Sequence, residues 1–240
     1  MSRPPLYHVA SRRGRALLGL LSPLLVLGLL AACTKKEDPS TLPDGATVLS
    51  ESAAVMKQVD SVHAELVVNG TIADLPLTYA KGDINRNGDA QGSLQITSPQ
   101  LIEMEFRILN GKTGYLKYPT GPWQEATLVI MAVYNPSILL NQDKGVANAL
   151  ATATNAKTEK SEKINGIDCW KVSAELNKAA ASALVPGTLP SKLNAFFWVD
   201  KQSKRMLKAE VIYPATGGNP DAPVDLTFTE FGKSVTVSAP

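Results

Sequence analysis

The stretch LIEMEFRIL, residues 101–109, alternates strictly: Ile102, Met104, Phe106 and Ile108 fall on one side of an extended chain, and Glu103, Glu105 and Arg107 on the other. A period of two with one apolar and one charged side predicts a strand in an antiparallel sheet that has one dry face and one wet face. Its flanks repeat the pattern. Ala64, Leu66 and Val68 share a face in the first strand of this region, and Leu94 and Ile96 share one in the third. Asn69-Gly70, Asn87-Gly88 and Asn110-Gly111 punctuate these runs, and Asn-Gly supplies the positive φ angles of tight hairpin turns. Residues 63–116 are therefore expected to form an antiparallel meander.

Working outward toward the N-terminus, Ala46–Val59 places Val48, Leu49, Val55, Met56 and Val59 at mixed three- and four-residue spacing, which predicts one amphipathic helix. Toward the C-terminus the pattern changes between Tyr134 and Thr154, where Pro136 is placed to start a short helix and Asp143 to begin a second. Glu159–Ile164 and Ile167–Leu176 flank Asn165-Gly166, the strongest hairpin signal in the chain. Alanine-rich Asn177–Leu184 predicts a third helix. Strands are expected at Leu193–Val199, Met206–Tyr213 and Val224–Phe231. Runs of strands and helices segregated in this way give an α+β fold, with helices packed over one face of an antiparallel sheet.

The first 32 residues follow a different logic. Arg3, Arg12, Arg13 and Arg15 precede the apolar run Ala16–Leu30, and Ala31-Ala32-Cys33 follows. This order is that of a signal peptide. The apolar run is broken by Gly19, Pro23 and Gly28 and falls short of the roughly 20 residues of a membrane-spanning helix. Leu30-Ala31-Ala32-Cys33 resembles the bacterial lipobox, in which the cysteine receives diacylglycerol and becomes the first residue after cleavage. A chance cysteine beside a plain cleavage site, or an uncleaved anchor, are the competing readings. The expected organisation is a lipoprotein signal peptide at 1–32, a lipidated Cys33 with a polar, proline-bearing tether to residue 45, and one domain over 46–240. Such a chain is exported and held on the outer face of the cell membrane.

Composition bounds the function classes. The 24 Lys and Arg residues exceed the 22 Asp and Glu, but four of the arginines lie before Cys33. The remaining 20 cations face 22 anions, for a net charge of −2 after cleavage. With no basic patch left, nucleic acid is not an expected partner. Only Cys169 remains besides Cys33, so a disulfide framework cannot form and stability must come from packing.

Catalytic signatures are sparse. His63 is the one histidine after Cys33, which leaves no His–His metal pair, and neither a G-x-S-x-G elbow, a Walker A loop, a dinucleotide fingerprint nor H-E-x-x-H occurs. The best enzymatic arrangement would pair Cys169 as thiolate with His63 as base. Against it, Cys169 lies beside Trp170 in an expected strand, as inert buried thiols do. Glu103 and Glu105 are explained by alternation as a solvated face. No catalytic residue, metal site or cofactor is expected.

Lipobox, polar tether, one helix and a meander interrupted by helices together resemble the LppX/LprAFG family of actinobacterial lipoproteins. Leu66-Val67-Val68-Asn69-Gly70 after Ser61-Val62-His63 looks like the family's first strand and turn. Tyr134-Asn135-Pro136 through Leu140-Asn141, with Gly145–Leu150, is similar to its helical insertion. Ile164-Asn165-Gly166 matches the hairpin, and Trp198-Val199 a later strand. The resemblance runs from about Leu42 to the C-terminus. It implies a half-barrel, a curved antiparallel sheet with helices on the concave face around an apolar cavity, and the carriage of acylated lipids or glycolipids between membrane and cell envelope. On that reading Leu66, Val68, Leu94, Ile96, Ile102, Met104, Phe106 and Ile108 line the cavity. The same residues equally suit a filled core, because an inward face looks alike whether it meets side chains or lipid. A non-enzymatic envelope interaction module, or an adaptor for a membrane transporter, is the alternative function.

Overall fold

Helix α1, Gly45–Met56, starts where the Asp44 carboxylate accepts a hydrogen bond of 2.8 Å from the Thr47 N–H, which satisfies a donor that a helix start leaves free. It buries Val48, Leu49, Ala53 and Met56 along one side; of the residues expected to form the stripe, Val55 is half-buried and Val59 lies beyond the helix end. This computed structural model describes residues 41–97, 99–127 and 135–240. The signal segment, Cys33, the tether up to residue 40, and Tyr134 lie outside the described residues.

The strands are β1 (Ser61–Val68), β2 (Leu77–Asn85), β3 (Ala90–Thr97), β4 (Leu101–Leu109), β5 (Thr113–Lys117), β6 (Trp123–Glu125), β7 (Thr154–Ile164), β8 (Ile167–Asn177), β9 (Lys192–Asp200), β10 (Met206–Tyr213) and β11 (Ala222–Thr229). A 3-10 helix at Pro136–Leu140 and helix α2 (Val146–Thr152) precede β7, and a single helical turn, α3 (Lys178–Ala181), follows β8. All eleven strands form one antiparallel sheet in the order β6-β5-β4-β3-β2-β1-β11-β10-β9-β8-β7. Each neighbour is also a neighbour in sequence except for β1 and β11. The sheet is thus two meanders joined through the first and last strands, open at β6 and β7. The α+β fold with an unclosed half-barrel sheet and helices on one face is as expected.

Two of the Asn-Gly turns take the anticipated form. Asn165 and Gly166 have φ of 50° and 83° between the paired Ile164 and Ile167. Asn110 and Gly111 have φ of 52° and 68°, closed by the Lys112 N–H on the Leu109 carbonyl. Asn69-Gly70 departs from expectation, because the β1–β2 connection runs from Asn69 to Pro76. Asn69 is drawn sideways instead: its N–H donates to the Pro223 carbonyl and its side chain to Asp225. Pairing with β11 wins over a tight turn.

The helical insertion needs two corrections. Asp143 does not begin α2, which starts at Val146 after Gly145 without a side-chain cap. The Asn141 side chain has already accepted the N–H groups of Asp143 and Lys144, both at 3.0 Å, forming a turn that competes with helix initiation. The helix expected over Asn177–Leu184 is one α-helical turn at Lys178–Ala181 capped by Asn177, with Leu184 and Val185 buried beyond it. Strand β6 has no counterpart in the sequence reading.

Candidate functional site: an apolar trough in one half of the sheet

Register carries the inward faces into layers. Ala90 lies opposite Ile108, Gly92 opposite Phe106, Leu94 opposite Met104 and Ile96 opposite Ile102. Across the neighbouring pairs Ala64 faces Gly82, Leu66 faces Ala80 and Leu116 faces Phe106. Over this surface lies a cavity of about 290 Å³. Of the eight residues expected to line it, Leu66, Leu94, Ile96, Met104, Phe106 and Ile108 do so. Val68 and Ile102 share the inward face but lie outside the lining. Val68 sits opposite Val224 and packs on the main core, and Ile102 is at the end of β4, half-exposed.

Other parts of the wall come from elsewhere. Leu75 and Pro76 enter from the β1–β2 connection, Leu77 from the start of β2, Leu116 and Tyr118 from β5 and its end, Leu139 from the 3-10 helix, and Pro186 from the segment after α3. Alternation with Gly114 could have revealed Leu116; nothing local marks Leu75 or Pro186. Gly82 and Gly92 do have a sequence signal, since glycine inside a strand marks a close approach. A side chain on Gly82 would reach within 3.0 Å of the Phe106 ring, and one on Gly92 would strike the Lys81 carbonyl. Two adjacent glycines thus let the Phe106 ring lie low against the sheet and keep space above it.

The trough has a closed end and an open end. Along β4, Ile108, Phe106 and Met104 are buried and Ile102 is half-exposed; along β3, Ala90 is buried and Leu94 and Ile96 are half-exposed. Its walls are hydrocarbon. Lys81 and Arg107 border it only from positions whose side chains alternate outward, and the Arg107 guanidinium stacks 4.6 Å from the Trp123 ring centroid. The Tyr213 hydroxyl, whose pKa is raised by burial, donates to the Pro186 carbonyl and so fixes the segment that supplies Pro186.

The β7–β11 half is filled where the other is hollow. Val172, Leu176, Phe197, Val199, Val211 and Phe228 are all fully buried with α1, α2 and α3 residues in the main core, and Leu226 of β11 stands at the boundary, lining the trough. Its outer face carries a second small cluster of Cys169, Trp198 and Leu207. There the Trp198 indole N–H donates to Glu162 at 3.0 Å, and this bond is the largest cause holding the Glu162 carboxyl below its usual range. The Lys171 ammonium lies 4.3 Å and 4.5 Å from the centroids of Phe196 and Trp198.

This placement separates the pair considered for catalysis. Cys169 on β8 and His63 on β1 are four strands apart, about 19 Å at the usual interstrand spacing, so no proton can pass between them. Cys169 is fully buried, and burial pushes its thiol up to about 11, the opposite of what a nucleophile needs. The His63 Nδ1 is 2.7 Å from Asp83 Oδ1. His63, Asp83 and Glu230 bring their ligand atoms within 4.8 Å of one another, the one such grouping among the described residues. Its members are already engaged with each other and with Lys233, whose ammonium is 2.6 Å from Glu230.

Comparison with known proteins agrees with this architecture. Residues 44–237 match the model of the LppX_LprAFG lipoprotein family. The lipoarabinomannan carrier protein LprG of Mycobacteroides abscessus is 32% identical over 233 residues, covering 95% of this chain and 99% of that protein. The LprG protein of Mycolicibacterium smegmatis is 29% identical, covering 88% and 90%. Among solved structures, LprF from Mycobacterium bovis superposes with a TM-score of 0.69 at 23% identity over 82% of this chain and 96% of its own. LppX from Mycobacterium tuberculosis superposes with a TM-score of 0.59 at 20% identity over 80% and 97%. Matched along nearly the whole described domain in sequence and in fold, the chain belongs to the LppX_LprAFG lipoprotein family.

Proposed function

We propose that this protein is a lipid carrier. It is exported, cleaved before Cys33, held by acyl chains on that residue at the outer face of the cell membrane, and loads the acyl chains of lipids or glycolipids into the trough. It then passes them between membrane and envelope without a catalytic step. The observation that carries this reading is the apolar cavity lined by Leu66, Leu94, Ile96, Met104, Phe106 and Ile108, open at one end of the sheet. The lipoarabinomannan carriers among its relatives support the same class of cargo.

The energetics suit exchange rather than capture. Each methylene leaving water contributes about 0.8 kcal/mol, and it gains nearly the same in a bilayer as in the trough, so transfer is close to balanced. A carrier of this type needs dry walls, while selectivity arises where headgroups meet the mouth. The cavity of about 290 Å³ stands at the lower end of the roughly 300–1,000 Å³ of small-molecule sites. In this conformation it takes part of one acyl chain, and cargo with several chains requires its cover to move apart. Native mass spectrometry of the chain exported from an actinobacterial host tests the proposal. Bound acylated lipid is expected; a lipid-free chain that instead co-purifies with a membrane transporter would replace the carrier reading with the adaptor one.

A further inference from the structure

The two ends of the sheet differ in chemistry, and register shows which features share an end. Thr154 pairs with Glu175, Glu175 with Asn194, Asn194 with Ile212, and Pro223 with Ile212. Val224 pairs with Val68, and on the far side Leu77 pairs with Ile96 and Ile96 with Ile102. The start of α1 belongs to this same end, since Gly45 lies against the backbone of Ala156 and Lys157 near the start of β7. The half-exposed mouth of the trough and the point where the tether enters the domain therefore face the same way.

Among the described residues the connections at that end are 69–76, 99–100, 118–122, 178–191 and 214–221. The three that border the trough, 69–76, 99–100 and 118–122, carry one charged residue, Asp74; Lys178 and Asp221 lie on the connections of the filled half. At the opposite end the short connections carry Lys57, Asp60, Arg86, Asp89, Lys112, Lys201, Lys204 and Arg205. Lys117 and Lys192, at strand ends near the mouth, are each paired, with Glu105 and Glu175. Leu101 is 63% exposed and Tyr118 40% exposed, and both sit at the mouth end; Ile167, the third exposed large apolar residue among the described ones, is at the tip of the β7–β8 hairpin on the other. A rim beside the trough with Asp74 as its one charged residue among the described connections, and bearing an aliphatic and an aromatic side chain, matches the boundary between headgroups and acyl chains, where tyrosine concentrates and full charges are costly.

We infer that this end of the sheet, with Leu101 and Tyr118 at its rim, is a membrane-docking surface that seats the mouth of the trough on the lipid bilayer. The tether allows it: the eleven residues from Thr34 to Asp44 reach at most about 36 Å, so the domain of an anchored chain stays within one domain length of the bilayer, able to turn this end down. The inference rests on the carrier reading for its purpose, while its geometry stands independently.

The test uses the full lipidated chain in vesicles of phosphatidylcholine and phosphatidylglycerol. An environment-sensitive fluorophore is attached at L101C or, as the opposite-end control, at I167C; Cys169 is buried and does not compete. Spin-labelled acyl chains are expected to quench the probe at 101 about fivefold more than that at 167, as partial insertion of one end requires. Equal quenching at both positions, or none at 101, would overturn the docking surface. Leu101→Glu is expected to slow lipid transfer between vesicles about tenfold, and Ile167→Glu to leave it unchanged. Quenching confined to 101 in a chain that never holds lipid would keep the docking surface and reject the carrier reading.

Discussion

In the β7–β11 half of the sheet, inward side chains such as Val172, Phe197, Val211 and Phe228 are fully buried beneath α1, α2 and α3. In the β1–β6 half the inward row of Leu94, Ile96, Met104 and Phe106 looks onto a trough, covered among the described residues by the 3-10 helix, connections and Pro186. Both halves are antiparallel meanders with the same alternation. A strand pattern therefore specifies a dry face without specifying what meets it. Which helices land on that face decides whether it becomes a core or a container.

The comparison can be broken by mutation. The largest effect is expected from Phe197→Ala in the filled half, which should cost about 4 kcal/mol of unfolding free energy. Phe106→Ala, beside an existing void, should cost less than half of that, since fewer neighbours lose contact; equal losses in urea titrations would mean that the two halves are packed alike. Enlarging side chains should show the reverse asymmetry. Ala195→Leu, at a fully buried site in β9, should destabilise by about 2 kcal/mol through overpacking. Leu94→Trp projects into the trough and should change stability by under about 1 kcal/mol while lowering the lipid bound per chain, as read by native mass spectrometry.

Smaller effects sharpen the picture on the outer face of the filled half. Cys169→Ser should lower stability by about 1–2 kcal/mol, because a hydroxyl replaces a buried thiol, and should leave lipid loading unchanged; lost function in this variant would revive a cysteine chemistry. The native thiol, raised to about 11 by burial, keeps its proton longer than in the unfolded chain. Its contribution is fully present below about pH 8.5 and declines as pH rises toward 11, alongside slow alkylation of the folded protein at pH 8. The smallest change is expected for Glu162→Gln, at most about 1 kcal/mol given solvent screening of a partly exposed carboxylate. Since the Trp198 hydrogen bond lowers the Glu162 pKa, that increment is present above the usual glutamate range and disappears as pH falls through the lowered value. A difference between wild type and variant that persisted in acid would contradict this assignment.

Much of this was legible in the residues because the signals are local. The period of two at 101–109 sets the faces of β4, and Asn110-Gly111 and Asn165-Gly166 set turns through their own backbone preferences. The failures share a cause. Asn69-Gly70 carries the same dipeptide, but β11 offers its backbone a better partner. Asp143 is a good cap in isolation, and Asn141 takes the donors first. Val68 and Ile102 face the right way yet fall beyond the cavity, whose length is set by elements that pack over it and not by the strands.

What the sequence alone determined is the class of the fold, the orientation of each strand and the candidate wall of the trough, since all of these follow from residue type and spacing along a continuous chain. Tertiary structure alone decided that the wall encloses space, that Leu75, Leu139 and Pro186 complete it, that His63 and Cys169 stand four strands apart, and that the mouth and the start of α1 share one end. Those are relations between segments distant in sequence, and no local pattern carries them, because they depend on how β1 pairs with β11 and on where the helices come to rest.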